Sequence, residues 1–193
     1  MTAQPLTKAA SQPLIRTELT DGRVLLRPPV PADVPAVTAA CQEPAIAAWT
    51  IVPSPYADSD AVFFVGRVSD EGWANGSTAT FVVVDPANGT LLGACGLGDI
   101  DHTHGRGEIG YWTTAAARGR GVATSAVRLV CAWAFDHVGL ARVDWHAFVG
   151  NEGSRRVVER CGFTMEGTLR SSHNHRGTRR DVWVGGLLAG ELR

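Results

Sequence analysis

The stretch Arg118-Gly119-Arg120-Gly121-Val122-Ala123 sets two arginines and two glycines directly before an apolar helical pattern. Glycines in such a turn let the backbone aim consecutive N–H groups at one point, and a helix N-terminus adds roughly half a positive charge there. Anion binding, most often of phosphate, is the chemistry that follows. Taken alone, glycines also serve ordinary turns. Two phosphate loops are excluded: no Gly-Lys-Ser/Thr follows, and Thr124 stands where a dinucleotide fingerprint needs a third glycine. A second reactive group is His146, an imidazole suited to proton transfer near neutral pH, which strand alternation puts on one face with Asp144 and Phe148. The His102/His104 and His173/His175 pairs lack a cysteine or carboxylate of ligand spacing, so no metal is expected. Cys41, Cys95, Cys131 and Cys161 form no CxxC and sit in apolar stretches, which reads as buried free thiols.

The elements that must position these groups follow from periodicity. Glu108–Thr113 is a strand leading into the turn, and the helix after it repeats Val122, Ala126, Val130 and Ala134 along one line. Upstream, Arg23–Arg27 is a strand closed by Pro28 and Pro29. A helix runs from Pro31-Ala32-Asp33 to Cys41, and Pro44–Pro55 is a loop or short helix. A second helix is capped by Asp58 or Ser59, and strands Thr80–Val84 and Thr90–Ile100 flank an Asp85–Gly89 turn. Downstream come strand Arg142–Phe148, helix Ser154–Cys161, strand Phe163–Leu169, a polar tip Ser171–Arg179 and strand Asp181–Leu188. The order βααβββαβαββ, without repeats, describes one α/β domain: a mixed sheet with helices on both faces, over residues 18–193, behind a loose tail at 1–17. Net charge is −1, which gives no reason to expect nucleic-acid or membrane-surface binding. Neither a signal-type apolar stretch nor an 18-residue apolar run is present, so a cytoplasmic location is expected.

Several stretches together resemble the GCN5-related N-acetyltransferases (GNAT), and within them the RimJ/RimL-like branch, which acetylates protein N-termini. They are Glu108-Ile109-Gly110-Tyr111-Trp112, the Arg118–Ala123 loop in the form Arg-x-x-Gly-x-Ala, Asn151-x-x-Ser154 through Cys161-Gly162-Phe163, Glu166-Gly167, and Arg180-Asp181-Val182. The matches run in order from about residue 23 to 189. The resemblance implies the GNAT acetyl-CoA-binding fold, a mostly antiparallel mixed sheet whose fourth and fifth strands splay apart. It also implies acetyl-CoA as cosubstrate and no metal. Pantetheine would bond to the strand edge at Trp112, Thr113 and Thr114. The pyrophosphate would rest on Gly119, Arg120, Gly121, Val122, Ala123 and Thr124, with Arg118 and Arg120 adding charge and Asn151 and Ser154 bordering the arm.

Direct transfer to an amine needs an acid and a base. The family's usual thiolate-protonating tyrosine is replaced by Val158, and Ser154 matches the serine that takes this part in the RimL-like branch. A serine there can equally be a helix N-cap. For the base, Glu166 matches the branch's glutamate and is preferred, Glu108 matches the strand-four glutamate of histone acetyltransferases and is second, and His146 is third. An α-amine, with a pKa of about 7.7–8.0, needs only a modest base. The implied function is acetylation of a protein or peptide α-amine. A small-molecule amine (amino acid, polyamine or aminoglycoside) and a non-catalytic acyl-CoA sensor are the alternatives. A monomer and a homodimer stay equally open.

Overall fold

The computed structural model describes residues 12–193, and its frame is one eight-stranded sheet. The strands are β1 (Leu19–Thr20), β2 (Leu25–Arg27), β3 (Ala79–Val84), β4 (Leu91–Asp101), β5 (Arg106–Thr113), β6 (Arg142–Phe148), β7 (Thr164–His175) and β8 (Thr178–Leu188). Their spatial order is β1-β2-β3-β4-β5-β6-β8-β7, and every pairing is antiparallel except β5 with β6. The two-residue β1 precedes the first strand expected from sequence, so the family's fourth and fifth strands are β5 and β6 here.

Helices cover both faces because β3, Ala-Thr-Phe-Val-Val-Val, is apolar on both. Phe81 and Val83 join the larger core with Val122, Ala126 and Val130 of α5 (Val122–Trp133) and Val158 of α6 (Glu152–Cys161). Val82 and Val84 face the other way, against α1 (Val34–Cys41) and α3 (Asp58–Phe63). Trp73, on α4 (Ser69–Asn75), and Trp133 pack on Phe81 at ring separations of 5.2 and 5.6 Å. The Pro44–Pro55 segment contains a helix, α2 (Pro44–Trp49). Of the expected loose tail, residues 1–11 lie outside the described residues; in the remainder, the Leu14 N–H donates to the Trp73 carbonyl at 2.9 Å.

The polar tip expected over Ser171–Arg179 is instead strand. β7 and β8 run on to a two-residue turn, Arg176-Gly177, with φ of 52° and 81°. Positive φ at both central residues is the type I′ geometry that matches strand twist. The strands escaped notice because β7 is exposed along most of its length and carries no apolar alternation.

Gly162 ends α6 at φ 103°, and a Cβ there would lie 2.3 Å from the Glu191 carbonyl oxygen. A β-branched side chain in this left-handed conformation is strained before the clash is counted. Gly162→Val should therefore cost about 2–4 kcal/mol and lower the melting temperature by roughly 6–12 °C. Thermal denaturation followed by circular dichroism checks it; an unchanged midpoint would mean that the C-terminal segment is not held against α6.

Candidate functional site

Parallel pairing of β5 with β6 lasts for three residues, to Glu108 opposite Asp144, and then stops. Beyond that point β6 stays paired with β8 while β5 stays with β4. The strands diverge around a cleft of about 1330 Å³. The Thr114 N–H donates to Leu92 O at 2.9 Å, so antiparallel alternation turns the polar groups of Tyr111 and Thr113, not those of Trp112 and Thr114, toward the gap. Consistently, Thr113 O accepts from the Arg118 guanidinium at 3.1 Å. The expected edge of Trp112 to Thr114 is thus corrected to Tyr111 and Thr113. Thr114 is tied back to β4 and does not line the cleft.

At one end of the gap stands the glycine turn. Gly119 and Gly121 have φ of 73° and 79°, and Gly121 caps α5. Val122, Ala123 and Thr124 fill its first turn, where N–H groups have no partner inside the helix. Gly119 and Gly121 to Thr124 border the cleft, and an anionic end of an extended ligand fits this corner. The arginines do not serve it as expected. Arg118 is held by the Glu43 carboxylate at 2.8 Å, and Glu43 also accepts the Ala115 N–H at 3.0 Å, so this pair braces the turn against α2. Arg120 is exposed, lies outside the cleft lining, and donates to Ala116 O at 3.5 Å.

Below the gap lies the start of α6. Its N-cap is Asn151, whose Oδ1 accepts the Ser154 N–H at 3.1 Å, so Ser154 is not the cap. The Ser154 hydroxyl is engaged by two side chains instead. Trp145 Nε1 donates to its Oγ at 3.0 Å, and the Tyr111 hydroxyl lies 2.8 Å from Oγ and 2.9 Å from the Ser154 carbonyl. Burial pushes the Tyr111 hydroxyl pKa well above its ordinary value, so it remains a donor at any working pH. With the Tyr111 proton given to the Ser154 carbonyl, the Ser154 hydroxyl accepts from Trp145 and points its own proton at the Tyr111 oxygen, beside the cleft that it lines. Val158, at the family's tyrosine position, is fully buried in the core. Neither Tyr111 nor Trp145 stood out in the sequence. The available signal was alternation from the core residues Ile109 and Val143, which puts both on the α6 side of the sheet.

Glu108 and His146 meet on the opposite face of the sheet, with Nδ1 donating to Oε2 at 2.7 Å and leaving Nε2 as the basic nitrogen. The Glu108 carboxylate, aided by Asp144, raises the His146 pKa above its ordinary value. Both residues line the cleft. Glu166, the preferred base, does not. Arg142 clamps its carboxylate with bonds of 2.8 and 2.6 Å and holds its pKa below the usual range, which makes it a poor proton acceptor. The guanidinium reaches β7 across Gly186, where a Cβ would lie 2.3 Å from it. Arg142 also bonds Asp144 at 2.5 Å, so this network is an ion-pair staple across three strands.

Gly110 lies between Glu108 and Trp112 on β5, and a Cβ there meets nothing within 4 Å. Gly110→Val should leave folding intact yet fill space over the Glu108–His146 pair. The expected outcome is an acceptor KM about tenfold or more higher, with acetyl-CoA KM changed much less. Equal changes in both would place the acceptor elsewhere. All four cysteines are buried free thiols. His102 bonds Gly76 O at 2.9 Å, while His173 meets Phe148 edge-on at 6.3 Å and His175 packs tilted on it at 4.6 Å.

A family model described as the acetyltransferase (GNAT) domain matches residues 23–164. The chain is 38% identical over 104 residues to YdaF of Bacillus subtilis (strain 168), named as a ribosomal N-acetyltransferase; the match covers 54% of this chain and 57% of YdaF. The structure of Mycobacterium smegmatis RimJ in complex with CoA-disulfide is similar at a TM-score of 0.81 and 23% identity, over 91% of this chain and 88% of that one. That of Vibrio cholerae spermidine N-acetyltransferase with CoA and spermine gives 0.76 and 20%, over 89% and 98%. At these identities the two structures show a shared fold.

Proposed function

Because this chain belongs to the GNAT N-acetyltransferase family, we propose that it transfers an acetyl group from acetyl-CoA to a protein or peptide α-amine. One observation carries the reading: the open β5 edge has a donor-supported serine on one face of the sheet and a carboxylate–imidazole pair on the other. Acetyl-CoA supplies the acyl group as a thioester. The turn at Gly119–Thr124 would hold its diphosphate, the Tyr111 and Thr113 edge its pantetheine arm, and Asn151 and Ser154 would border the thioester end. The backbone N–H groups of Tyr111 and Thr113 face the gap and are the donors available to the acyl oxygen.

His146 Nε2 takes the proton from the incoming ammonium, and Glu108 orients the ring and stabilises the imidazolium. Ser154 Oγ–H delivers a proton to the departing sulfur and recovers one released from the newly formed amide nitrogen, while Trp145 donates to Oγ and makes it more acidic and the Tyr111 hydroxyl positions it. Ser154 would thus supply the acid that Val158, at the family's tyrosine position, cannot. An α-amine titrates within reach of a histidine base, whereas an ε-amine near 10.4 does not.

The test follows thiol release from acetyl-CoA by purified protein, with peptides, amino acids, polyamines and aminoglycosides as acceptors, and mass spectrometry of the products. N-terminally acetylated peptide is the expected result. Tight CoA binding without release on any amine would overturn the enzymatic reading, and release only with polyamines would overturn the choice of acceptor.

A further inference from the structure

The hairpin of β7 and β8 presents a cation whose position the transfer chemistry does not use. The Arg180 guanidinium lies between two aromatic rings, 5.6 Å from the centroid of Trp49 and 5.2 Å from that of Phe148. It is half-buried, and among the described residues it makes no hydrogen bond and no ion pair. Other arginines of this face differ. Arg142 is neutralised by Glu166 and Asp144, Arg106 approaches Asp144 at 3.8 Å, and Arg176 donates to the Ala47 and Val52 carbonyls. Those Arg176 bonds fasten the hairpin turn to the α2 segment, so Trp49 is held against Arg180 from that segment while β6 holds Phe148 against it. Stacking fixes the plane of a guanidinium and leaves its edge N–H groups free, which is the arrangement that reads a carboxylate bidentately.

Register links this cation to the reacting centre. Phe148 pairs with Val182 and His146 with Val184, without a bulge, so His146, Phe148, Val182 and Arg180 project from one face. Trp49, Phe148 and Val182 line the cleft, and Arg180 stands at its margin behind the two rings. Phe148 is two residues along β6 from His146, on the order of 7 Å. Arg180 lies two residues beyond Val182 on β8 and its side chain reaches back over the Phe148 ring, so an anion at Arg180 sits past Phe148 from His146, where an extended peptide with its α-amine at His146 carries its first side chains.

We propose that Arg180, aligned by Trp49 and Phe148, binds an acidic side chain at the second position of the acceptor peptide and discriminates against polycationic amines. The proposal deepens the α-amine reading and rests on it. Rates are measured with three peptides identical except for Asp, Asn or Lys at position two, and with spermidine. The Asp peptide is expected to exceed the Lys peptide about tenfold or more in kcat/KM, with the gap narrowing at high salt. Arg180→Ala should erase the preference, Arg180→Lys should keep part of it, and Arg180→Glu should reverse it in favour of Lys. A residue that merely props the hairpin would lower all three rates together and give no reversal.

Calorimetric titration of the same peptides in acetylated form, against the protein with CoA, reads the site without turnover. Equal affinities for the Asp, Asn and Lys peptides overturn the Arg180 assignment even if all are acetylated. No acetylation of any peptide, with the Asp preference kept in binding, would overturn the reaction assigned above and leave the Arg180 site standing.

Discussion

Ser154→Ala is expected to lower kcat by about 10²–10⁴-fold with little change in acetyl-CoA KM. The hydroxyl accepts from Trp145 Nε1 at 3.0 Å and shares a hydrogen bond with the Tyr111 hydroxyl at 2.8 Å, at the edge of the cleft. The bond accepted from Trp145 makes Oγ give up its proton more readily, and a rotation of the hydroxyl away from the Tyr111 oxygen aims that proton into the cleft. Removing Oγ takes away the acid but not the support of the helix. Asn151 still caps α6, and Tyr111 still donates to the Ser154 carbonyl at 2.9 Å. The variant should therefore fold and bind CoA. Tyr111→Phe keeps the serine and loses the hydroxyl that positions it, so its loss in kcat should be smaller, about tenfold. Pre-steady-state thiol release separates the two effects from product dissociation. A Ser154→Ala enzyme at full rate would mean that the sulfur leaves protonated by water, and the serine would be reduced to packing.

Legibility of this chain from its residues divides along a physical line. Wherever one face of an element is buried, periodicity disclosed it: Val122, Ala126 and Val130 marked α5, and the apolar run of β3 marked a strand covered on both sides. Backbone-driven features were equally legible, since Gly119 and Gly121 both take the positive φ their position requires. Three things were not. The outer halves of β7 and β8 are exposed strands with no apolar alternation to reveal them. The role of Arg118 depends on Glu43, 75 positions away in sequence, and no local pattern reports such a partner. The preference for Glu166 over Glu108 did not take in the Arg142 clamp for the same reason, because Arg142 reaches Glu166 across the space left by Gly186. Side chains that titrate are found by type, but which of them stay free to move protons is decided by long-range pairing.

That distinction gives the second large effect. His146→Gln should reduce kcat/KM by about 10²-fold or more and flatten the acid limb of the pH–rate profile. The sign follows from the pair: Glu108 favours the imidazolium and raises the His146 pKa above its ordinary value. The basic form needed to accept a proton then prevails only at pH above that raised value, so activity should climb with pH through it. Glu108→Gln removes the principal cause of the shift. Its limb should move to lower pH even as its plateau falls, because an unanchored ring is less well aimed. The acceptor amine titrates too, but identically with each variant, so the difference between profiles belongs to the enzyme. Glu166→Gln is the control: with Glu166 committed to Arg142 outside the cleft, its profile should keep the wild-type midpoint. A limb that survives His146→Gln and shifts with Glu166→Gln would reverse the roles of the two residues.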